Sequence, residues 1–156
     1  MKVTILNVGR VRQNFIQEGE QEYLKRLRGT PLALSLVELG LEAPESLSVT
    51  EVQEREATEL LKKLEAFDYV IALDERGKQK TSKEFTQLID TQLQSGTRSL
   101  AFVIGGAFGF SEKIRQRANY VLSLSSLTLP HQLTRLVLIE QIYRAHTIMR
   151  GIAYHK

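Results

Sequence analysis

Three stretches of the 156-residue chain combine residue types and positions that could do chemistry. Gly105-Gly106-Ala107-Phe108-Gly109 follows an apolar run directly, and glycines placed there let a backbone approach a ligand closely. Leu73-Asp74 closes a second apolar run. Leu124-Ser125-Ser126-Leu127-Thr128-Leu129-Pro130 follows a third, with two small hydroxyls among leucines. Such a stretch exposes backbone amides and carbonyls between apolar side chains, the composition of a pocket that reads the edges of an adenine through main chain. A buried turn has the same composition. The glycine stretch matches neither G-x-G-x-x-G nor a P-loop, and the position about 20 residues on, where an acid would hold a ribose, is Ser125. A tight strand-to-helix turn is therefore an equal reading of it.

Of the three histidines, His131 follows Pro130, His146 lies mid-helix and His155 is penultimate. No His pair stands at metal-ligand spacing with a third ligand, so no metal site is expected. The absence of cysteine excludes disulfides and thiolate catalysis. Arg135 and Arg144 interrupt an otherwise apolar helix, which is costly unless they are paired or bind an anion. Glu140, four residues before Arg144, could be its partner. The net charge of +3 permits contact with nucleic acid without requiring it.

These residues need elements to position them. Lys2 to Val8, Leu32 to Leu39, Tyr69 to Leu73, Ser99 to Ile104 and Val121 to Leu124 read as five strands, mostly continuous apolar runs. Helical spacing links them, with capping boxes expected at Thr50–Gln53 and Thr81–Glu84 and a cap at Ser111. Strand and helix alternate with short connections, which predicts one α/β domain: a mostly parallel sheet with helices on both faces. In such sheets ligands bind outside the carboxyl ends of the strands, where the three stretches fall. The last helix, from about His131 to Met149, is apolar nearly all round, so it should lie in a large core or against another chain. No segment approaches a bilayer span and no leader pattern opens the chain, so a cytoplasmic location is expected.

Ile104-Gly105-Gly106, Gly109-Phe110-Ser111, Leu124 to His131, Glu140 to Ala145, the Asn7-Val8-Gly9 opening and the Tyr154-His155 ending together resemble the bacterial ribosomal RNA large-subunit methyltransferase H family. The resemblance spans the whole chain. It departs at Ala107-Phe108, where Pro-Glu or similar would follow the glycines. It implies a SPOUT-class enzyme with a C-terminal trefoil knot, S-adenosylmethionine as cofactor, and methylation of N3 of a pseudouridine in 23S rRNA on the assembled ribosome. Carried over, the cofactor pocket would be Leu73, Gly105 and Leu124, Ser125, Ser126, Leu127, Thr128 and Leu129. His155, Tyr154 and His131 become candidates for accepting or relaying the N3 proton, and Arg135 and Arg144 for holding RNA phosphates. The family's homodimer would give the apolar last helix a partner. Two other classes stay open: a nucleotide-binding module without transferase activity, and a ribosome-associated interaction protein without catalysis.

Overall fold

The sheet is built from short runs of branched apolar residues that a half-buried or fully buried strand favours. A computed structural model describes residues 1–41 and 44–154. Its elements are β1 (Lys2–Val8), α1 (Asn14–Leu27), β2 (Ala33–Leu39), α2 (Val49–Leu64), β3 (Tyr69–Gln79), α3 (Ser82–Gln94), β4 (Ser99–Ile104), α4 (Glu112–Arg117), β5 (Tyr120–Ser123) and α5 (His131–Met149). The five strands are all parallel, in the order β2-β1-β4-β3-β5. This is the expected α/β architecture.

Alternation along the strands feeds two cores. Val3, Ile5, Ile71, Leu100 and Phe102 point to one face with Phe85 and Ile89 of α3 and Leu138, Ile139 and Ile142 of α5. Leu6, Val8, Val70, Ala72, Ala101 and Val103 point to the other, with Leu60 and Leu64 of α2 and Ile114 of α4. Each of these large side chains contributes about 1.5–3 kcal/mol by leaving water.

Three local expectations are corrected. The capping box of α2 is Ser48 with Glu51, not Thr50 with Gln53: the Ser48 hydroxyl accepts from the Glu51 amide and the Glu51 carboxylate accepts from Ser48. Both frames satisfy the four-residue pattern, and the hydroxyl immediately before the helix takes the role, since Thr50 already lies inside it. The Thr81–Glu84 box forms as expected. Second, β3 does not stop at Leu73. It pairs with β5 through Leu73, leaves the ladder for residues 74–77, and rejoins the same strand at Lys78 and Gln79. Gly77 makes this return possible, since a Cβ there would stand 2.6 Å from the Leu122 backbone. Third, Leu124 lies just beyond β5, in the connection to α5.

The apolar character of α5 has a cause within the chain. The helix lies on the sheet between α1 and α3, so it is covered on three sides. Leu138, Ile139, Ile142 and Ala145 are buried, and Leu133 is its one exposed position. No helix among the described residues is long and apolar enough to cross a membrane.

Candidate cofactor site

A cavity of about 910 Å³ opens at the carboxyl ends of β3, β4 and β5. That is within the range of small-molecule sites. Its walls are three connections: the 74–77 excursion of β3, the loop from Gly105 to Ser111, and the loop from Leu124 to Pro130. Leu73, Gly105, Leu124, Ser125, Leu127, Thr128 and Leu129, which the resemblance carried over to a cofactor pocket, line it, and so does His131, a candidate for the proton. Ser126, also expected there, is exposed and outside the lining. The turn itself explains why. The Ser123 hydroxyl donates to the Ser125 carbonyl (3.0 Å) and the Leu127 amide donates to the Ser125 hydroxyl (2.9 Å), which turns Ser126 outward.

Asp74 is fixed rather than free. Its carboxylate accepts from the Arg115 guanidinium at 2.9 Å and from the Arg76 amide at 2.9 Å. Arg115 also donates to the Phe110 carbonyl and to Glu112, so one guanidinium joins the β3 excursion to the end of the glycine loop. Ser111 was expected to cap α4, but its hydroxyl makes no such bond; it is buried, lines the cavity and has no partner among the described residues. A buried orphan hydroxyl, walls that mix leucines with polar and charged side chains, and a glycine loop together suit a nucleoside whose polar edges need a few donors and acceptors. Two apolar side chains stand open at the mouth, Phe108 (50% exposed) and Leu127 (74% exposed).

The remaining candidates lie elsewhere. Arg135 is 3% exposed and ion-paired on both sides, with Glu20 at 2.5 and 2.7 Å and with Glu38 at 2.8 Å. It ties α5 to α1 and β2, so its expected role on an RNA phosphate is withdrawn. Arg144 is half-buried, pairs with Glu140 at 2.7 Å and covers the Tyr154 ring. Tyr154 donates to Glu140 (3.2 Å), shares a hydrogen bond with Tyr23 (3.3 Å) and meets the Tyr143 ring edge-on. Burial, then Tyr23 and Glu140, hold its phenol above the ordinary range. Glu140 is nine residues beyond His131, about 13 Å along the helix, so this tail cluster is remote from the cavity of its own chain. His155 lies outside the described residues. His131, by contrast, is in the lining and stands beside Gly9. Among the described residues no group of three or more His, Asp or Glu could hold a metal ion.

Sequence reasoning missed Gln53 and Glu56 of α2. Gln53 donates to the Phe108 carbonyl at 2.7 Å, and Glu56 lies buried against Gly106. The signal was present: Glu56 is four residues before Leu60, on the apolar face of the helix, where an acid has no place without a partner.

The fold and site together define an α/β protein with a nucleoside-sized cavity at three parallel strand ends. A family model described as "Predicted SPOUT methyltransferase" matches residues 1–155. The chain is 44% identical over 160 residues, the full length of both chains, to the protein named Ribosomal RNA large subunit methyltransferase H in Bacillus cytotoxicus, and equally so to that of Streptococcus agalactiae serotype III. A crystal structure of a protein assigned to a methylase family in Neisseria gonorrhoeae shares the fold: TM-score 0.52 at 16% identity, over 92% of this chain and 81% of that one. The chain belongs to the SPOUT methyltransferase family.

Proposed function

We propose that this chain transfers the methyl group of S-adenosylmethionine to N3 of a pseudouridine in large-subunit ribosomal RNA, acting on the assembled ribosome. The observation that carries the reading is the cavity itself. Three strand ends, chosen on sequence grounds alone, meet around one nucleoside-sized space. The full-length likeness to proteins named for ribosomal RNA methylation supports the choice of substrate.

When bound, S-adenosylmethionine supplies an activated methyl on a sulfonium, so the chain's own task is to position the partners and take a proton. Main-chain groups of Leu124 to Leu129 would read the adenine edge, and the leucines would flank its ring. Gly105 allows close backbone approach. Asp74 and Arg115 hold the facing wall. His131, at the α5 start in the cavity lining, is our candidate for accepting the N3 proton, because an imidazole nitrogen placed there can act as a general base.

Tyr154 and His155 enter only through a second copy. With the Tyr154 cluster about 13 Å down α5 from His131, a two-fold dimer would have to bring one protomer's tail to its partner's cavity. There the neutral Tyr154 could orient the RNA and His155 could share the proton. Arg144 could reach a phosphate only by leaving Glu140. A trefoil knot formed by the segment after β4 completes the proposal.

Calorimetry tests the cofactor. S-adenosylmethionine should bind and NAD, FMN and ATP should not; binding of one of those three in its place would overturn the assignment.

A further inference from the structure

The glycine loop is gripped from below by one face of α2. Gln53 and Glu56 are one turn apart on that helix (i, i+3) and so share a face. The Gln53 side-chain amide donates to the Phe108 carbonyl at 2.7 Å. Three residues along the helix, the Glu56 carboxylate sits under Gly106 so closely that a Cβ on that glycine would stand 2.5 Å from Oε1 and 2.9 Å from Oε2. Glu56 is only 8% exposed, and its carboxylate packs against the Gly106 backbone. Beyond these two contacts, Glu54 pairs with Lys113 of α4, the helix that the loop feeds. The loop is thus held at its second glycine and again at Phe108, while Gly109, with φ +71°, makes the turn toward α4.

We propose that Gln53 and Glu56 are positioning residues that set the shape of the Gly105–Gly109 loop, and through it the affinity of the cavity for S-adenosylmethionine. The inference rests on reading the cavity as the cofactor site. Gly105 and Phe108 both line that cavity, so a shift at either held point moves its wall. Glu56 stands outside the lining and acts through the loop, whereas Gln53 also lines the cavity beside the Phe108 carbonyl it holds. Burial pushes the Glu56 carboxyl above its usual range, against the Gly106 backbone, which acts to lower it. A helix that needed only packing there would carry an apolar residue. Glu56 also explains Gly106, whose missing side chain leaves room for the carboxylate.

The test is the dissociation constant for S-adenosylmethionine, measured by calorimetry on the full chain and four variants. Gln53→Ala and Glu56→Leu should each weaken binding about fivefold to tenfold, the effect of stranding one loop donor or acceptor. Glu56→Gln keeps an oxygen acceptor and should stay within about twofold of the parent. The Gln53→Ala/Glu56→Leu double variant should lose less than the product of the single losses, because both act on one loop. Leu129→Arg, in the cavity wall, should abolish binding. If Leu129→Arg abolishes binding while Gln53→Ala leaves it unchanged, the positioning role is wrong and the cofactor site stands. Equal losses in Glu56→Gln and Glu56→Leu would also overturn it, since they mean that packing or charge, not acceptance, matters. Should Leu129→Arg bind normally, the site assignment falls and the inference with it. Gln53→Ala alters a half-buried side chain, so it still reads the effect if Glu56→Leu does not fold.

Discussion

Asp74 and Arg115, 41 residues apart in sequence, meet in a 2.9 Å ion pair that closes one wall of the cavity. The carboxylate ends the apolar part of β3, and the guanidinium comes from α4 after passing the Phe110 carbonyl. Arg115→Ala would leave a mostly buried carboxylate with only the Arg76 amide. We expect a loss of about 1–3 kcal/mol in stability and weaker cofactor binding. Urea unfolding and calorimetry check both. Arg115→Lys should recover little, because a point charge cannot serve Asp74 and the Phe110 carbonyl together.

Arg135 makes a separate prediction. Its guanidinium joins Glu20 and Glu38, and removing it strands a buried carboxylate. Arg135→Ala should cost about 3–5 kcal/mol. At roughly 2–4 °C per kcal/mol for a chain of this size, the melting temperature should fall by about 6–20 °C. The salt dependence of ribosome association should stay as in the parent protein. A change in that slope, with stability intact, would return Arg135 to the RNA interface.

His146 sets a pH dependence. Burial, then the charge of Arg150, lowers its pKa below the ordinary value. The unfolded chain then binds the proton more readily, so its contribution is full above about pH 6.5 and is lost as pH falls toward the depressed folded value. Comparing urea midpoints at pH 7.5 and 5.5, the parent should lose more stability than His146→Gln. An equal loss would show that His146 titrates as it does in the unfolded chain.

Tyr154→Phe removes a hydroxyl that donates to Glu140 and contacts Tyr23. Because that phenol is held neutral, we expect the pH–rate profile of methyl transfer to keep its shape, with any loss appearing in KM. Loss of the basic limb of the profile would make Tyr154 the proton acceptor after all.

The fold and the three cavity walls were legible because each rests on a local signal: apolar runs for strands, capping patterns for helices, glycines and small hydroxyls directly after strands. Contacts across long sequence separation were not. Nothing local says that Arg135 finds Glu20, 115 residues away, or that Gln53 reaches Phe108. The return of β3 to β5 at Lys78 was hidden for a similar reason, since Asp74-Glu75-Arg76-Gly77 has turn composition and only the packing of Gly77 on Leu122 makes it a strand with an excursion. The apolar α5 was expected to meet its own domain on one side and a second copy on another; within the chain α1 and α3 cover the first.

The most direct test of the central proposal is transfer of a labelled methyl from S-adenosylmethionine to ribosomes taken from a strain lacking this protein, with the product mapped on the RNA. Label on N3 of a single pseudouridine in the large-subunit RNA, abolished by Leu129→Arg, is the predicted result. Label on another atom or on the small subunit, or no label from protein that binds the cofactor, would contradict it.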